Sequence, residues 1–485
     1  MPVRERRKVL FWKWRSKKGR TMIDINTPMI DKYPRIYRTE EQLSPVNIDF
    51  FDFVETNPAA LDRSQYNHLL ENSSDAFGLV QPWPVFIDSA AGNRMKEAAL
   101  EVFDLVRSIP DRLFSYDTRK MSRYYETPEV DIEVQLEGAD ETFLKSLLGR
   151  ADFILGPSGL KCLEFNVSAG IGGWQTALLK PLYLQTPVIS RFLREYGVKI
   201  RYRNLFEDLL EHLLPPAVKK FNSIYTDEIN IAVVIVEFDG VAEAFRPVEV
   251  SINKVYKHIL DREYDGLGGN VILCDFHHLT VSDNRLFHKN KRVHVLLEMY
   301  HGDVPGHVLE VSRAGKLMLY NGPITALLVN KLNLALLSEH EDSDIFNSRE
   351  KEAIKRYIPW TRKIVPGLED FILSNREKLV IKPANGYGGE SVFIGCSLSD
   401  DLWKEVITIA QRNKNWLVQE YVDSDSYLLQ NGECGCCPHH AVWGLFVFGT
   451  RYAGGFLRVS PGENHSGVIN THAGSEKTVV LELED

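Results

Sequence analysis

Cys162-Leu163-Glu164-Phe165-Asn166-Val167-Ser168-Ala169-Gly170-Ile171-Gly172-Gly173 is a strand-like run that breaks into a glycine-rich turn. Side chains of a strand alternate with period two, so Glu164 and Asn166 fall on one side. Such a pair offers hard oxygen ligands to Mg²⁺, which commonly takes one or two carboxylates together with the phosphates of a nucleotide. Far downstream, Leu379-Val380-Ile381-Lys382-Pro383-Ala384-Asn385-Gly386-Tyr387-Gly388-Gly389-Glu390 delivers a lysine from a β-type run into a second glycine-rich loop. Its small residues let backbone N–H groups approach phosphate oxygens closely. Either stretch alone is more often an ordinary turn. A third, Trp416-Leu417-Val418-Gln419-Glu420-Tyr421-Val422, is a β run leading into a short hinge. An adenine needs an acceptor for its amine and backbone groups for its ring edge, and a strand entering a hinge supplies both. The three together point to ATP chemistry.

This set resembles the ATP-grasp superfamily, and the order of its parts narrows the likeness. In most ATP-grasp ligases the metal-binding Glu-x-Asn follows the hinge, whereas here it precedes the lysine strand, so the chain looks circularly permuted. It is similar to eukaryotic glutathione synthetase and, more distantly, to glutathionylspermidine synthetase. The likeness runs from about Gly149 onward and is carried by Gly149 to Leu155 with Gly159 to Asn166, by Asn284 to Phe287 with Arg292 to Val295, by Asn321-Gly322-Pro323 with Asn330-Lys331, and by Trp443 to Gly449 with Phe456 to Val459.

The resemblance implies an α/β (α+β) ATP-grasp fold with an inserted Rossmann-like substrate domain and a Gly-rich lid. The division expected is a basic, disordered tail at 1–21, a main-domain part at 22–224 carrying the metal strand, an inserted domain at 225–320, and an ATP-binding part at 321–485 with its lid at about 378–415. Carried over by position, Glu164, Asn166 and Glu390 hold Mg²⁺, and Lys331 and Lys382 contact the phosphates. Asn385, Gly386, Gly388 and Gly389 form the lid loop, while Glu420, Tyr421 and Val422 address adenine. Arg150 neutralises the acyl phosphate and Arg458 binds a substrate carboxylate, with Asp152 and Ser168 completing the substrate contacts. The family continues after that arginine with a lysine and an Ala/Gly-rich loop, whereas this chain has Ser460 and then Gly467 to Gly474. The frame is therefore expected to be shared and the substrate to differ from that of glutathione synthesis.

Composition fits a globular enzyme: 485 residues, 44% hydrophobic and 25% charged, long enough for two or three domains. A net charge of −9 argues against a general nucleic-acid binder, which needs a basic face. Met1 to Arg20 is dense in Lys and Arg, has no apolar stretch long enough for a secretory signal, and reads as a disordered tail or as residues before a start at Met22 in preference to a membrane-surface or targeting segment. With no run of eighteen apolar residues, the expectation is a cytoplasmic protein without a membrane partner, acting on small carboxylate and amine substrates; a homodimer is the assembly left open.

Six cysteines imply no disulfide framework. Cys162, Cys274 and Cys396 read as buried small hydrophobes in strands. Cys434, Cys436, Cys437, His439 and His440 fall in what reads as one polar loop; a metal, an oxidisable thiol cluster and an ordinary loop are all open, and the spacing lacks the gap that zinc knuckles use. His277-His278 follow an expected strand, where adjacent residues would point apart and one ion would not take both. Glu141 to Leu148 and Arg203 to Phe221 read as helices, the second ending or breaking at Pro215-Pro216. Ala177 to Leu184 reads as another, with Pro181 at a kink or start. Ile229 to Val236 and Gly269 to Cys274 are continuous apolar strands of a sheet covered on both sides.

The reading is an ATP- and Mg²⁺-dependent ligase that joins a carboxylate to an amine through an acyl phosphate, releasing ADP and phosphate, with the Gly386 loop as a lid against water. The alternatives are a kinase-like phosphotransferase that stops after phosphorylation and an ATP-binding scaffold without turnover.

Overall fold

The computed structural model describes residues 32–72, 78–167, 172–221, 227–235, 237–299, 304–386, 391–431, 435–462, 469 and 474–485. The basic tail expected at 1–21 lies outside them. The described residues form a mixed α/β structure with four sheets.

The largest sheet has seven strands, in the order Val85–Ile87, Glu476–Glu482, Arg451–Pro461, Gly435–Phe448, Leu148–Gly156, Gly159–Asn166, with Ser426–Asn431 paired to the first half of Gly435–Phe448. Val85–Ile87 runs parallel to its neighbour and the remaining pairs are antiparallel. Period-two alternation divides this sheet chemically. Ala151, Phe153, Trp443, Leu445, Leu457 and Val459 enter the main core beneath the helix Ser89–Arg112. Arg150, Asp152, Ile154 and Arg458 lie on the opposite face. Part of that face is covered by the helix Leu205–Phe221, which packs Leu209, Leu213 and Phe221 into a second core with Phe446, Phe448 and Phe456. The candidate site occupies the rest.

A four-stranded parallel sheet has the order Met318–Tyr320, Val295–Met299, Ile231–Ile235, Val271–Cys274. Its central strand is apolar throughout because both faces are covered: Ile231, Val233 and Ile235 enter the second core, and Ala232 and Val234 enter a third with Val308 and Val311. Leu279–Ser282, Arg285–His288 and Lys291–Val293 make an antiparallel three-stranded sheet beside it. The fourth sheet, Thr361–Lys363, Trp416–Glu420, Leu379–Pro383, Phe393–Ile394, is antiparallel and is backed by Trp403, Val406, Ile407 and Ala410 of the helix Asp400–Asn413. Asn321 ties the parallel sheet to the large one. At φ 69° it is buried, accepts from the Leu148 N–H at 2.8 Å and donates to the Leu148 carbonyl at 2.9 Å.

Several local expectations are corrected. The helix Leu205–Phe221 continues through Pro215 and Pro216, because burial of Leu213, Leu214, Ala217 and Phe221 outweighs two missing N–H donors. Thr176–Gln185 likewise contains Pro181 in its interior. The helix expected over Glu141 to Leu148 is a single turn, Glu141–Leu144, since Leu148 already belongs to a strand. Cys162 and Cys274 are buried as expected, but Cys396 is exposed in the 3₁₀ turn Gly395–Ser397. Cys436, Cys437, His439 and His440 sit on the strand Gly435–Phe448 rather than in a loop, so neighbours along it face opposite ways; Cys434 lies outside the described residues. No helix of the described residues is long and apolar enough to cross a membrane.

Candidate functional site

Asp152, itself buried, is the centre of the polar half-face of the large sheet. Its neighbour on the same face of the same strand, Arg150, donates Nε–H to Oδ1 at 2.6 Å and an NH2 hydrogen to Oδ2 at 2.8 Å. Arg458, two strands away, donates to the same Oδ2 at 2.7 Å. Asn166 Nδ2 lies 3.4 Å from Asp152 Oδ2 and 3.5 Å from Glu164 Oε1. Room for Arg150 and the Phe456 ring comes from Gly444, in register with Asp152: a Cβ there would meet the Phe456 ring at 2.5 Å and Arg150 Cδ at 3.0 Å. The Arg150 guanidinium in turn lies over the Phe456 ring, 5.6 Å from its centroid.

Two lysines from the fourth sheet and its approach close the other side. Lys331, just before the helix Leu332–Glu339, places Nζ 3.4 Å from Glu164 Oε2 and donates to the Gly386 carbonyl at 2.7 Å. Lys382 is buried and donates to the Leu163 carbonyl and to Gln419 Oε1, each at 2.8 Å; Gln419 is itself held by donating to Thr361 Oγ1 at 3.0 Å. One lysine thus joins the fourth sheet to the strand that carries Glu164. Burial opposes the charge of Glu164, but the Lys331 ammonium, with Lys382 and Arg458 behind it, holds its carboxyl well below the usual range. Burial pushes the Lys382 ammonium down to about 8, against the pull of Glu164.

Arg150, Asp152, Glu164, Asn166, Lys331, Lys382 and Arg458 are therefore brought together from segments remote in sequence. Asn385 and Gly386 stand at the root of the loop, Asn385 exposed. Ser168, Gly388, Gly389 and Glu390 lie outside the described residues. The hinge differs from its expected form in one respect. The Glu420 N–H already donates to the Trp360 carbonyl at 2.8 Å and the Tyr421 N–H to the Lys378 carbonyl at 2.7 Å, so neither donor is open to a ring edge. Val422 instead borders a small apolar cluster of Ile154, Val442, Ile469 and Leu163. The hinge is seated by Gly156, where a Cβ would stand 2.3 Å from the Asp423 carbonyl oxygen.

Sequence reasoning missed three contributors. Gln419 carried a signal, a buried amide inside an apolar strand. The Ile154 cluster and Lys477 carried none. Lys477, on Glu476–Glu482, is in register with Arg458 and buried, and its ammonium is pushed down to about 8 by burial and then by Arg458 and Arg150.

His277 and His278 lie in the 3₁₀ turn Phe276–His278 and not in a strand, with ring centroids 4.0 Å apart. Both reach the two oxygens of Asp239, at 3.1 and 3.2 Å, so adjacency does not separate them. A different feature disfavours a metal. The Asp275 N–H points at His278 Nδ1 at 3.2 Å, which places the proton of a neutral ring on Nε2, the nitrogen facing Asp239. His277 bridges Asp275 and Asp239, and hydrogen bonds to the first and then the second raise its pKa, favouring the imidazolium. The group is an ion-paired clamp on the helix Phe238–Glu263.

No protein-family model matches the chain, and no curated protein matches it. Among solved structures it is similar to D-alanyl-alanine synthetase A from Vibrio cholerae O1 biovar eltor, at 12% identity over 44% of this chain and 67% of that one, with a TM-score of 0.27. A likeness at that level carries no argument about this chain.

Proposed function

We propose that the chain is an ATP- and Mg²⁺-dependent ligase of the ATP-grasp type, circularly permuted, that joins a carboxylic acid to an amine through an acyl phosphate. In this reading 22–224 and 321–485 together form the ATP-binding body, and 225–320 is an inserted domain that meets substrate. The observation that carries it is the convergence of Lys331 on Glu164 and of Lys382 on the Leu163 carbonyl, which brings two cationic side chains to the strand that bears Glu164 and Asn166.

The donor chemistry fits Mg²⁺. Glu164 is held ionised, and its carboxylate and the Asn166 amide are hard ligands on one side of one strand. Bound there, Mg²⁺ would offset phosphate charge as phosphoryl transfer proceeds. Lys331 and Lys382 would hold the phosphates, and the Ile154, Val442 and Val422 surface would take the flat adenine ring. A carboxylate oxygen of the acid attacks the γ-phosphorus, the bond to the bridging oxygen breaks, and ADP leaves. The amine nitrogen then attacks the acyl carbon and phosphate departs, with the amine proton passing to solvent. Arg150, fixed by Asp152 and by Phe456, would be the preorganised partner of the developing anionic charge.

The test is product analysis with hydroxylamine as the amine. Acid, ATP and Mg²⁺ should yield ADP and a hydroxamate, and Glu164→Gln, which keeps shape and removes one anionic ligand, should lower both at least 100-fold. AMP and pyrophosphate as products, or near-normal ADP release by Glu164→Gln, would refute the reading. ADP with a stable phosphorylated product and no hydroxamate would favour a kinase.

A further inference from the structure

We propose that Ser338, Thr361 and Gln419 are positioning residues: a buried hydrogen-bonded chain through them holds the Lys382 ammonium in a fixed place relative to Lys331 and so governs affinity for the phosphate end of a nucleotide. The inference rests on the reading above that both lysines meet phosphates, and it adds the side chains that act through them.

Thr361 and Gln419 face each other across the antiparallel pair Thr361–Lys363 and Trp416–Glu420. On its other flank Gln419 is in register with Val380, and Lys382, two residues on, leaves the sheet by the same face. Leu379, Ile381 and Val418, of opposite parity, fill the apolar cluster with Trp403 on the far face. Thr361, Gln419 and Lys382 are all buried, so their polar atoms must be matched within the protein. The donors run one way along the chain. Thr361 Oγ1 donates to the Pro359 carbonyl at 2.8 Å, and it therefore acts as an acceptor toward Gln419, taking an Nε2 hydrogen at 3.0 Å. That fixes which way the amide lies, and its Oε1 accepts from Lys382 Nζ at 2.8 Å. Turned over, the amide would set NH₂ against an ammonium, donor against donor.

The chain also reaches the other lysine. The Thr361 N–H donates to Ser338 Oγ at 3.1 Å, and the same oxygen accepts from Arg362 at 2.8 Å. Ser338 belongs to the helix Leu332–Glu339, and Lys331 stands directly before that helix, about two turns from Ser338. The element that presents one lysine is thus tied to the ammonium of the other. Both acceptors that Lys382 meets, the Leu163 carbonyl and the Gln419 amide, are neutral. They direct the ammonium without cancelling its charge, which stays available to a phosphate oxygen.

Calorimetric titration of the full chain with adenosine, ADP and ATP in the presence of Mg²⁺ tests this, in a cycle of wild type, Gln419→Met, Lys382→Met and the double variant. Gln419→Met should weaken ADP and ATP tenfold or more and adenosine, which carries no phosphate, less than twofold. In the Lys382→Met background the same change should cost less than a further twofold, because the side chain it positions is gone. Thr361→Val keeps the volume, does not touch Lys382 and carries the test should Gln419→Met fail to fold; it should weaken ATP in the same direction, and Thr361→Ser, which retains the hydroxyl, should restore most of the affinity. Equal weakening of adenosine and ATP, additive losses in the cycle, ATP affinity within twofold of wild type in both Gln419→Met and Thr361→Val, or no ATP binding by the wild type overturns the proposal. The hydroxamate assay on the same proteins separates the two readings. Coupled loss of ATP affinity with no hydroxamate from the wild type supports the positioning chain and refutes the ligase, whereas hydroxamate formation with no coupling between Gln419 and Lys382 does the reverse.

Discussion

A single missing methyl group sets the geometry at the centre of the site. Gly444 faces Asp152 across the ladder, and the space its side chain would take is filled by Arg150 Cδ and the Phe456 ring. The ring packs against the Arg150 guanidinium, which is fixed in turn by two bonds to Asp152. Gly444→Ala should therefore act twice, through overpacking and through displacement of the arginine. Overpacking in a tight core costs about 1–3 kcal/mol. Thermal unfolding should report that loss, and ADP release should fall further than the shift in melting temperature explains. A variant with full activity and unchanged stability would show that Phe456 turns aside freely. The same crowding explains what sequence could disclose at this scale. Glu164 and Asn166 are two apart on a strand, and alternation alone places them together. Lys477 and Arg458 are brought side by side only by the register of two antiparallel strands, which no local pattern expresses.

At the level of elements, junctions matter more than interiors. Asn321 spans both backbone groups of Leu148, the residue that opens the central strand bearing Arg150 and Asp152. Its left-handed φ of 69° suits asparagine better than most residues. Asn321→Ala removes a donor and an acceptor from a buried site, leaving the Leu148 peptide groups unpaired, at about 1–3 kcal/mol. Denaturant unfolding should show that cost, and Asn321→Asp, which retains only acceptors, should recover part of it. Recovery to wild-type stability by Ala would refute the role. The elements that sequence disclosed are those buried along nearly their whole length: the apolar strand Ile231–Ile235, and Leu148–Gly156, where Arg150 and Asp152 alternate with Ala151 and Phe153. Those it hid are governed by tertiary packing. Pro215 and Pro216 signalled a helix end, yet leucines on either side fill one core and carry the helix through. His277 and His278 follow a strand, and a capping turn brings them together instead of letting them point apart. Val85–Ile87 had too few residues to show any period.

For the whole molecule, a buried acid links stability to pH. Glu40, on the helix Pro34–Leu43, accepts from the Leu428 N–H at 3.2 Å, and burial pushes its carboxyl up to about 8. In the unfolded chain the same group releases its proton near 4.3. Between those values the folded state holds more protons, so this residue makes stability fall as pH rises, with no further change once both states have ionised. Melting temperatures measured from pH 5 to 9 should carry that downward component, and Glu40→Gln, neutral throughout, should remove it. An identical profile in the variant would show that Glu40 is ionised in the fold at neutral pH.

The parallel pairing of Val85 with Val480 joins positions 395 residues apart, and it has a consequence for the making of the protein. At ribosomal speeds of roughly 5–20 residues per second, the earlier strand is synthesised about 20–80 s before its partner exists. During that interval its backbone edge is open to any other strand in the cell, and its side chains, Val85, Phe86 and Ile87, are ones that favour such pairing. Holding the segment to three residues limits how firmly a wrong partner can grip it before the right one arrives.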